Sequence, residues 1–272
     1  MNRNLNESLK LNPAVDLLPL ASLAGGADVF ELAAKSVGAQ KEEIVAHELF
    51  LVSAEEPRVF GTDGEFILSP RLDDLASVYA AFDGFMNMEA GLSTPVFAVF
   101  DNEEVGSGTK QGAASTFLYD TLSRVGGENY LTMLPASMML SIDNAHALHP
   151  NHPEMSDGEN APTLGGGIVV KFNANQRYAT DAVSHGIFLE MCKHSGIKAQ
   201  RYYNRADLPG GSTLGSISNT RVSVSTIDIG FPQLAMHSAT ETAAACDLEP
   251  MISATRVFFS TALTPTENGF DF

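Results

Sequence analysis

The chain has 272 residues, 44% of them hydrophobic and 18% charged. That composition supports a sizeable core and disfavours long disorder. With 33 acidic residues against 16 basic ones, the net charge of −17 repels nucleic-acid phosphates and anionic lipid, so neither partner is expected.

No uninterrupted apolar run reaches the ~18 residues of a membrane span. The opening MNRNLNESLK has no apolar secretory region. Cys192 and Cys246 form neither a disulfide framework nor a CxxC pair. The expected setting is reducing and cytoplasmic, with no membrane role. In chain order, residues 28–37 read as a helix and 47–53 (HELFLVS) as a strand. After Pro70, apolar Leu72, Leu75, Val78, Tyr79 and Phe82 fall at helical spacing and predict a helix to Met86. Residues 95–100 (PVFAVF) read as a buried strand, followed by a turn at Gly106–Gly108 and a helix over 110–125. Strands are expected at 137–142 and 167–172, and a helix at 181–195 with Ile187, Phe188 and Met191 on one face. The β-branched run 221–229 reads as a strand, and 239–262 as a final long helix. Strands alternating with helices predict an α/β fold: a mixed or mostly parallel sheet flanked by helices, read as one domain over 1–272.

Folds of this class bind ligands at the carboxyl ends of strands. PVFAVF runs into Asp101-Asn102-Glu103-Glu104, SMMLSI into Asp143-Asn144-Ala145-His146, and the 221–229 strand leads through Phe231-Pro232 to His237. The helix at Leu72 opens with Asp73-Asp74. Clustered Asp, Glu and His are what a zinc, manganese or cobalt site requires. Two such ions ~3.5–4 Å apart need a bridging carboxylate and further ligands on each side. Asp73, Glu104, Asp143 and His237, from four segments, are the candidates. Neighbours in an extended segment point in opposite directions. One of Glu103 and Glu104 can therefore ligate metal while the other faces substrate as a general base. His47, His185 and His194 read as structural. His146, His149 and His152 share a segment with Asp143, and a helical turn would put Asp143 and His146 on one face. His237 is placed at the start of the last helix. Periodicity does not choose among His146, His149, His152 and His237.

Six segments in order, SPRLDDL (69–75), FDNEEVGS (100–107), SIDNAHALHPNH (141–152), KFNANQRY (171–178), NRADLPGGSTLG (204–215) and DIGFPQLAMHSATE (228–241), resemble the aspartyl aminopeptidase family of metallopeptidases. The resemblance implies a phosphorylase/hydrolase-like metallo-exopeptidase globule and a cytoplasmic enzyme. That enzyme uses two Zn²⁺, with Mn²⁺ or Co²⁺ as alternatives, to release N-terminal Asp or Glu from peptides. It implies Asp73 as the bridging carboxylate, Glu103 as general base, Glu104 and His237 completing one metal site and Asp143 ligating the other. His146, Lys171 and Tyr178 would contact substrate beside Glu103 and Asp143. A fixed cation suits an acidic side chain, and Lys171 follows a strand in an acidic chain. Gly210–Thr213 resembles a pocket-lining loop, and homo-oligomers are implied.

The sequence departs from the family pattern in three ways. No His-x-Asp precedes Asp73, the family's dimerisation domain has no counterpart, and Thr240 stands where Arg is usual. The likeness is thus to the C-terminal catalytic portion. The isolated chain is expected to hold one metal tightly and to turn over poorly. The alternative is a truncated, impaired pseudoenzyme or a subunit needing an N-terminal partner. With no GxxxxGK[ST] and no GxGxxG opening a helix, nucleotide binding is a poor reading.

Overall fold

The computed structural model describes residues 9–23, 26, 28–208, 210–267 and 269–271. The chain divides into two units, Met1–Val52 and Ser53–Phe272. The first holds α1 (Pro13–Asp16) and α2 (Val29–Ser36). Asp28 caps α2 by accepting the Phe30 and Glu31 N–H groups, so the helix expected at 28–37 forms. Residues 47–53 do not form the expected strand. They have strand-like composition, but a strand is stable only against a partner, and Phe50 and Leu51 are exposed.

In the second unit the chain runs through β1 (Arg58–Phe60), β2 (Phe66–Ser69), α3 (Leu72–Met86), α4 (Phe117–Gly126) and α5 (Tyr130–Met133). Next come β3 (Met138–Ile142), β4 (Ala145–His146), β5 (Ile168–Phe172), α6 (Ala182–His194), β6 (Ala199–Tyr203) and α7 (Leu214–Ser218). The chain continues with β7 (Ser225–Gly230), β8 (Pro232–Leu234), β9 (Glu241–Ala244), α8 (Leu248–Ser260) and the β10–β11 hairpin (Thr264–Thr266, Gly269–Asp271).

The strands form two sheets of functional interest rather than the one expected. The first, in order β3-β7-β5-β6, pairs β3 with β7 and β5 with β6 in parallel, and β5 with β7 antiparallel. The second, β1-β2-β9-β8-β4, is antiparallel except for β4 beside β8. Ile168, Val170, Ile227 and Ile229 of the first sheet pack with Phe188 and Cys192 of α6, Met251 and Ile252 of α8 and Ala80 of α3. Strands buried this way read as continuous apolar runs, which is why 167–172 was legible.

Three expected elements change. Residues 110–116 are turns, because Ala114 N–H donates to Ser107 O and Gln111 O accepts from Asp101 N–H, tying them to the preceding loop. The helix starts only at Phe117. The long helix 239–262 is instead β9 followed by α8. Glu241–Ala244 is taken up between β2 and β8 in register Leu68↔Thr242 and Leu234↔Thr242. The buried Asp247 ahead of α8 accepts the Gly165 and Gly167 N–H groups at 2.7 and 2.8 Å. Residues 95–100 form no strand and pair with none among the described residues.

Candidate metal centre

Glu241 organises the site. It is 2% exposed at the start of β9. One carboxylate oxygen accepts the backbone N–H of Asp73 at 2.8 Å and the other that of His237 at 2.6 Å. These are charge-assisted bonds to two different segments. Asp73 lies in the first turn of α3 with non-helical backbone angles, joined to Asp74 by a cis peptide. His237 occupies the turn between β8 and β9 with a left-handed φ of 67°, not the start of the last helix. From there His237 Nε2 lies 3.1 Å from Asp73 Oδ2 and 3.2 Å from Glu104 Oε2. Each of these three residues offers a ligand atom, and the atoms lie within 4.8 Å of one another.

A second group of the same kind joins Asp73, Asp74 and Asp143. Asp143 follows β3 and donates its N–H to Ile229 O at 3.2 Å. Its Oδ2 lies 3.2 Å from Nζ of Lys171, whose residue is 2% exposed and whose ammonium sits 5.5 Å from the Tyr178 ring centroid. Gly230, at the end of β7, permits this approach. A Cβ there would stand 2.4 Å from Asp143 O and 2.9 Å from Lys171 Cε. Behind the carboxylates, buried Asn144 donates to Leu72 O and to Gln233 Oε1, both at 2.7 Å, and contacts Ser77. That network ties the start of α3 to β8.

Burial, then the charge of Asp143, a hydrogen bond to it and the charge of Glu104 push Asp73 up to about 8, against a smaller opposing pull from Lys171. Burial, Asp143 and Asp73 raise Asp74 well above the ordinary carboxylate range. Burial first, then Asp143 and Glu104, raise Glu103. Crowded carboxylates that hold protons for want of a counter-charge are the setting a divalent cation relieves. Asp73 Oδ1 and Asp74 Oδ1 are buried with no hydrogen-bond partner, which a cation would also satisfy. The two carboxylates and imidazole of the first group fit zinc, whereas the second group offers three carboxylates and no imidazole among the described residues.

Asp73, Glu103, Glu104, Asp143, His146, Lys171, Tyr178 and His237 all line one cavity of about 250 Å³, with Gly211, Ser212 and Thr213 across it. Every site residue that the family resemblance implies therefore lines this cavity. Lys171 is the one Lys or Arg among the described residues lining it. His146 and Asp143 arrive by a different route from the helical turn expected. Asp143 follows β3, while His146 belongs to β4, paired with Gln233. His149 and His152 lie off the cavity, their rings 5.3 Å apart and His152 beside Glu154. The sequence reading missed Asp74, Glu241 and Asn144. Asp74 was visible as the second residue of the DD pair. Only contacts distant in sequence distinguish Glu241 and Asn144.

A cluster of acidic donors with an imidazole, held at strand ends beside a spare glutamate, is the apparatus of the metal-dependent hydrolases as a class. The family profile described as "Aminopeptidase I zinc metalloprotease (M18)" matches residues 1–259. The chain belongs to that family. A probable M18 family aminopeptidase 2 of Clostridium acetobutylicum is 41% identical over 254 residues, covering 89% of this chain and 58% of the relative. A counterpart in Pseudomonas entomophila is 35% identical over 274 residues, covering 97% and 64%. Among solved structures, that of the Ape4 and Nbr1 complex superposes with a TM-score of 0.83 at 30% identity, over 95% of this chain and 55% of that one. The S. cerevesiae mApe1 dodecamer superposes with a TM-score of 0.74 at 26% identity, over 85% and 54%. This chain thus spans less than two thirds of the length of these relatives.

Proposed function

We propose that this chain carries the catalytic centre of a zinc aminopeptidase that releases N-terminal Asp or Glu from peptides. The convergence of Asp73, Glu104 and His237 beside Glu103 on one cavity supports this reading most directly. Asp73, Glu104 and His237 would hold one zinc. Asp73 would also serve, with Asp74 and Asp143, a second such position. Zinc, when bound, supplies Lewis-acid polarisation of the scissile carbonyl and lowers the pKa of water. Glu103, whose proton affinity burial and neighbouring carboxylates raise, takes the proton of the attacking water and passes it to the departing amine. Lys171 balances Asp143 and directs a remaining N–H toward the acidic side chain of the substrate. Tyr178 and His146 line the cavity beside it.

The second metal group has three carboxylates and no imidazole among the described residues. Such a set holds zinc weakly. The isolated chain therefore retains about one zinc tightly and turns over slowly, and a homo-oligomer like the dodecameric relative completes the working enzyme. The cytoplasm suits this chemistry. The test is elemental analysis of the purified chain with an Asp- or Glu-anilide assay, repeated on Glu103→Gln. One retained zinc in both proteins and a ~10²–10⁴-fold loss in the variant support the assignment. Equal turnover by both removes Glu103 from the base role.

A further inference from the structure

The cavity of the metal centre is also lined by Tyr202, which lies outside the carboxylate cluster. Tyr202 pairs with Lys171 in the parallel register of β5 and β6. Paired residues of neighbouring strands project from the same face of a sheet, and the next pair projects from the other. That next pair is Phe172 and Tyr203, whose rings stack at 4.8 Å and 5°. The alternation therefore commits Tyr202 to the cavity side with Lys171 and turns Tyr203 away from it. The Tyr202 ring lies 6.4 Å from that of Tyr178 and 6.4 Å from that of His146. Among the described residues its hydroxyl has no hydrogen-bond partner.

Burial first, then Tyr178, pushes the Tyr202 phenol up to about 12, while Lys171 pulls it the other way. Tyr202 is thus a neutral O–H donor near neutral pH, close enough to the Lys171 ammonium to feel its charge. Tyr178 differs, because after burial the charges that raise its phenol are the carboxylates of Asp143 and Asp228. An anionic group entering the cavity is repelled by Asp73, Glu103, Glu104 and Asp143, and its favourable ground is where Lys171 and Tyr202 adjoin. Lys171 has three N–H donors and directs one to Asp143 at 3.2 Å. A carboxylate has two oxygens, and a single remaining ammonium N–H serves only one of them. Leaving the other without a donor in a desolvated site is unfavourable. We propose that Tyr202 is a specificity-determining residue for an acidic N-terminal side chain, its hydroxyl donating to the carboxylate oxygen that Lys171 leaves unsatisfied. The inference rests on the reading that this cavity takes N-terminal Asp or Glu.

The test titrates the zinc-loaded chain with L-aspartate and with L-leucine by calorimetry, and measures kcat/KM on the Asp- and Leu-anilides. Leucine has the branching of aspartate and no acceptor. The unaltered chain, Tyr202→Phe and Tyr203→Phe are compared. The unaltered chain is expected to prefer aspartate. In Tyr202→Phe the aspartate-to-leucine ratio narrows roughly ten- to hundredfold in both measurements, as for loss of a hydrogen bond to an ionised acceptor. Its melting temperature is unchanged, because the hydroxyl bonds to nothing in the fold. Tyr203→Phe, on the other face of the sheet, keeps the ratio. A chain that prefers aspartate and keeps its full ratio in Tyr202→Phe overturns the inference and leaves the acidic-substrate reading standing. Equal losses on aspartate and leucine also overturn it, because Tyr202 is then a general wall of the cavity. No preference for aspartate in the unaltered chain overturns the acidic-substrate reading and this inference with it.

Discussion

Replacing Glu241 with Gln tests whether one buried carboxylate sets the geometry of the metal centre. Its two oxygens accept from Asp73 N–H at 2.8 Å and from His237 N–H at 2.6 Å. A glutamine keeps one acceptor oxygen and turns an NH₂ group toward the other donor, so one bond is lost and two donors face each other. A hydrogen bond to a charged group contributes about 1.5–3 kcal/mol. His237 also sits at φ 67°, a backbone state that is costly for a non-glycine residue. Its N–H bond to Glu241 helps hold it there. Every 1.4 kcal/mol is tenfold, so zinc affinity is expected to fall about 10–100-fold, the range usual for groups that orient metal ligands. The metal-free variant is expected to melt about 3–12 °C lower, taking 2–4 °C per kcal/mol for a unit of this size. Zinc affinity is read by competition against a chromophoric chelator, and melting by circular dichroism in EDTA. Unchanged zinc affinity with a lowered melting temperature would refute the reasoning, because Glu241 would then support the fold without orienting the ligands.

The metal-free chain is expected to lose stability as pH rises toward about 8: Asp73 titrates at about 8 in the folded chain against 3.8 ordinarily, so its contribution is full below 3.8 and lost on passing through 8. Added zinc competes with that proton, so zinc affinity rises over the same window; melting curves and zinc titrations across it, showing no trend in either, would contradict this. Lys171→Met leaves Asp143 facing two further buried carboxylates without its cation; breaking a buried pair costs up to about 3–5 kcal/mol, read by urea unfolding in EDTA, and loss of turnover on acidic substrates should exceed that on neutral ones. Asp228, 1% exposed, accepts from Ser141 Oγ at 2.5 Å, Thr213 Oγ1 at 2.7 Å and Ala179 N–H at 2.5 Å. Asp228→Asn places an amide against one of these donors, so a loss of about 1–3 kcal/mol and loosening of the Thr213 wall are expected, measured by unfolding and by exchange at residues 211–214.

The sequence by itself determined the elements whose burial is written in consecutive residues. The strands at 138–142 and 168–172, α3 and α6 follow from runs and helical spacings that any partner would bury in the same way. It also determined the residue types of the site, because Asp73, Glu103, Glu104, Asp143 and His237 follow segments whose apolar character marks them as strands or helices. Tertiary structure alone decided the rest. PVFAVF and HELFLVS have the composition of strands and are not strands in this chain, since a strand exists only where a neighbouring backbone accepts its hydrogen bonds. Residues 239–244 pass from expected helix to β9 because β2 and β8 compete for them. His237 was distinguished from His149 and His152 by its place opposite Asp73 and Glu104, from which it is separated by more than a hundred residues of chain. Glu241 became the organiser of the site for the same reason: its carboxylate bonds two backbone groups that lie 168 and four residues away, and no local pattern encodes the longer of those contacts.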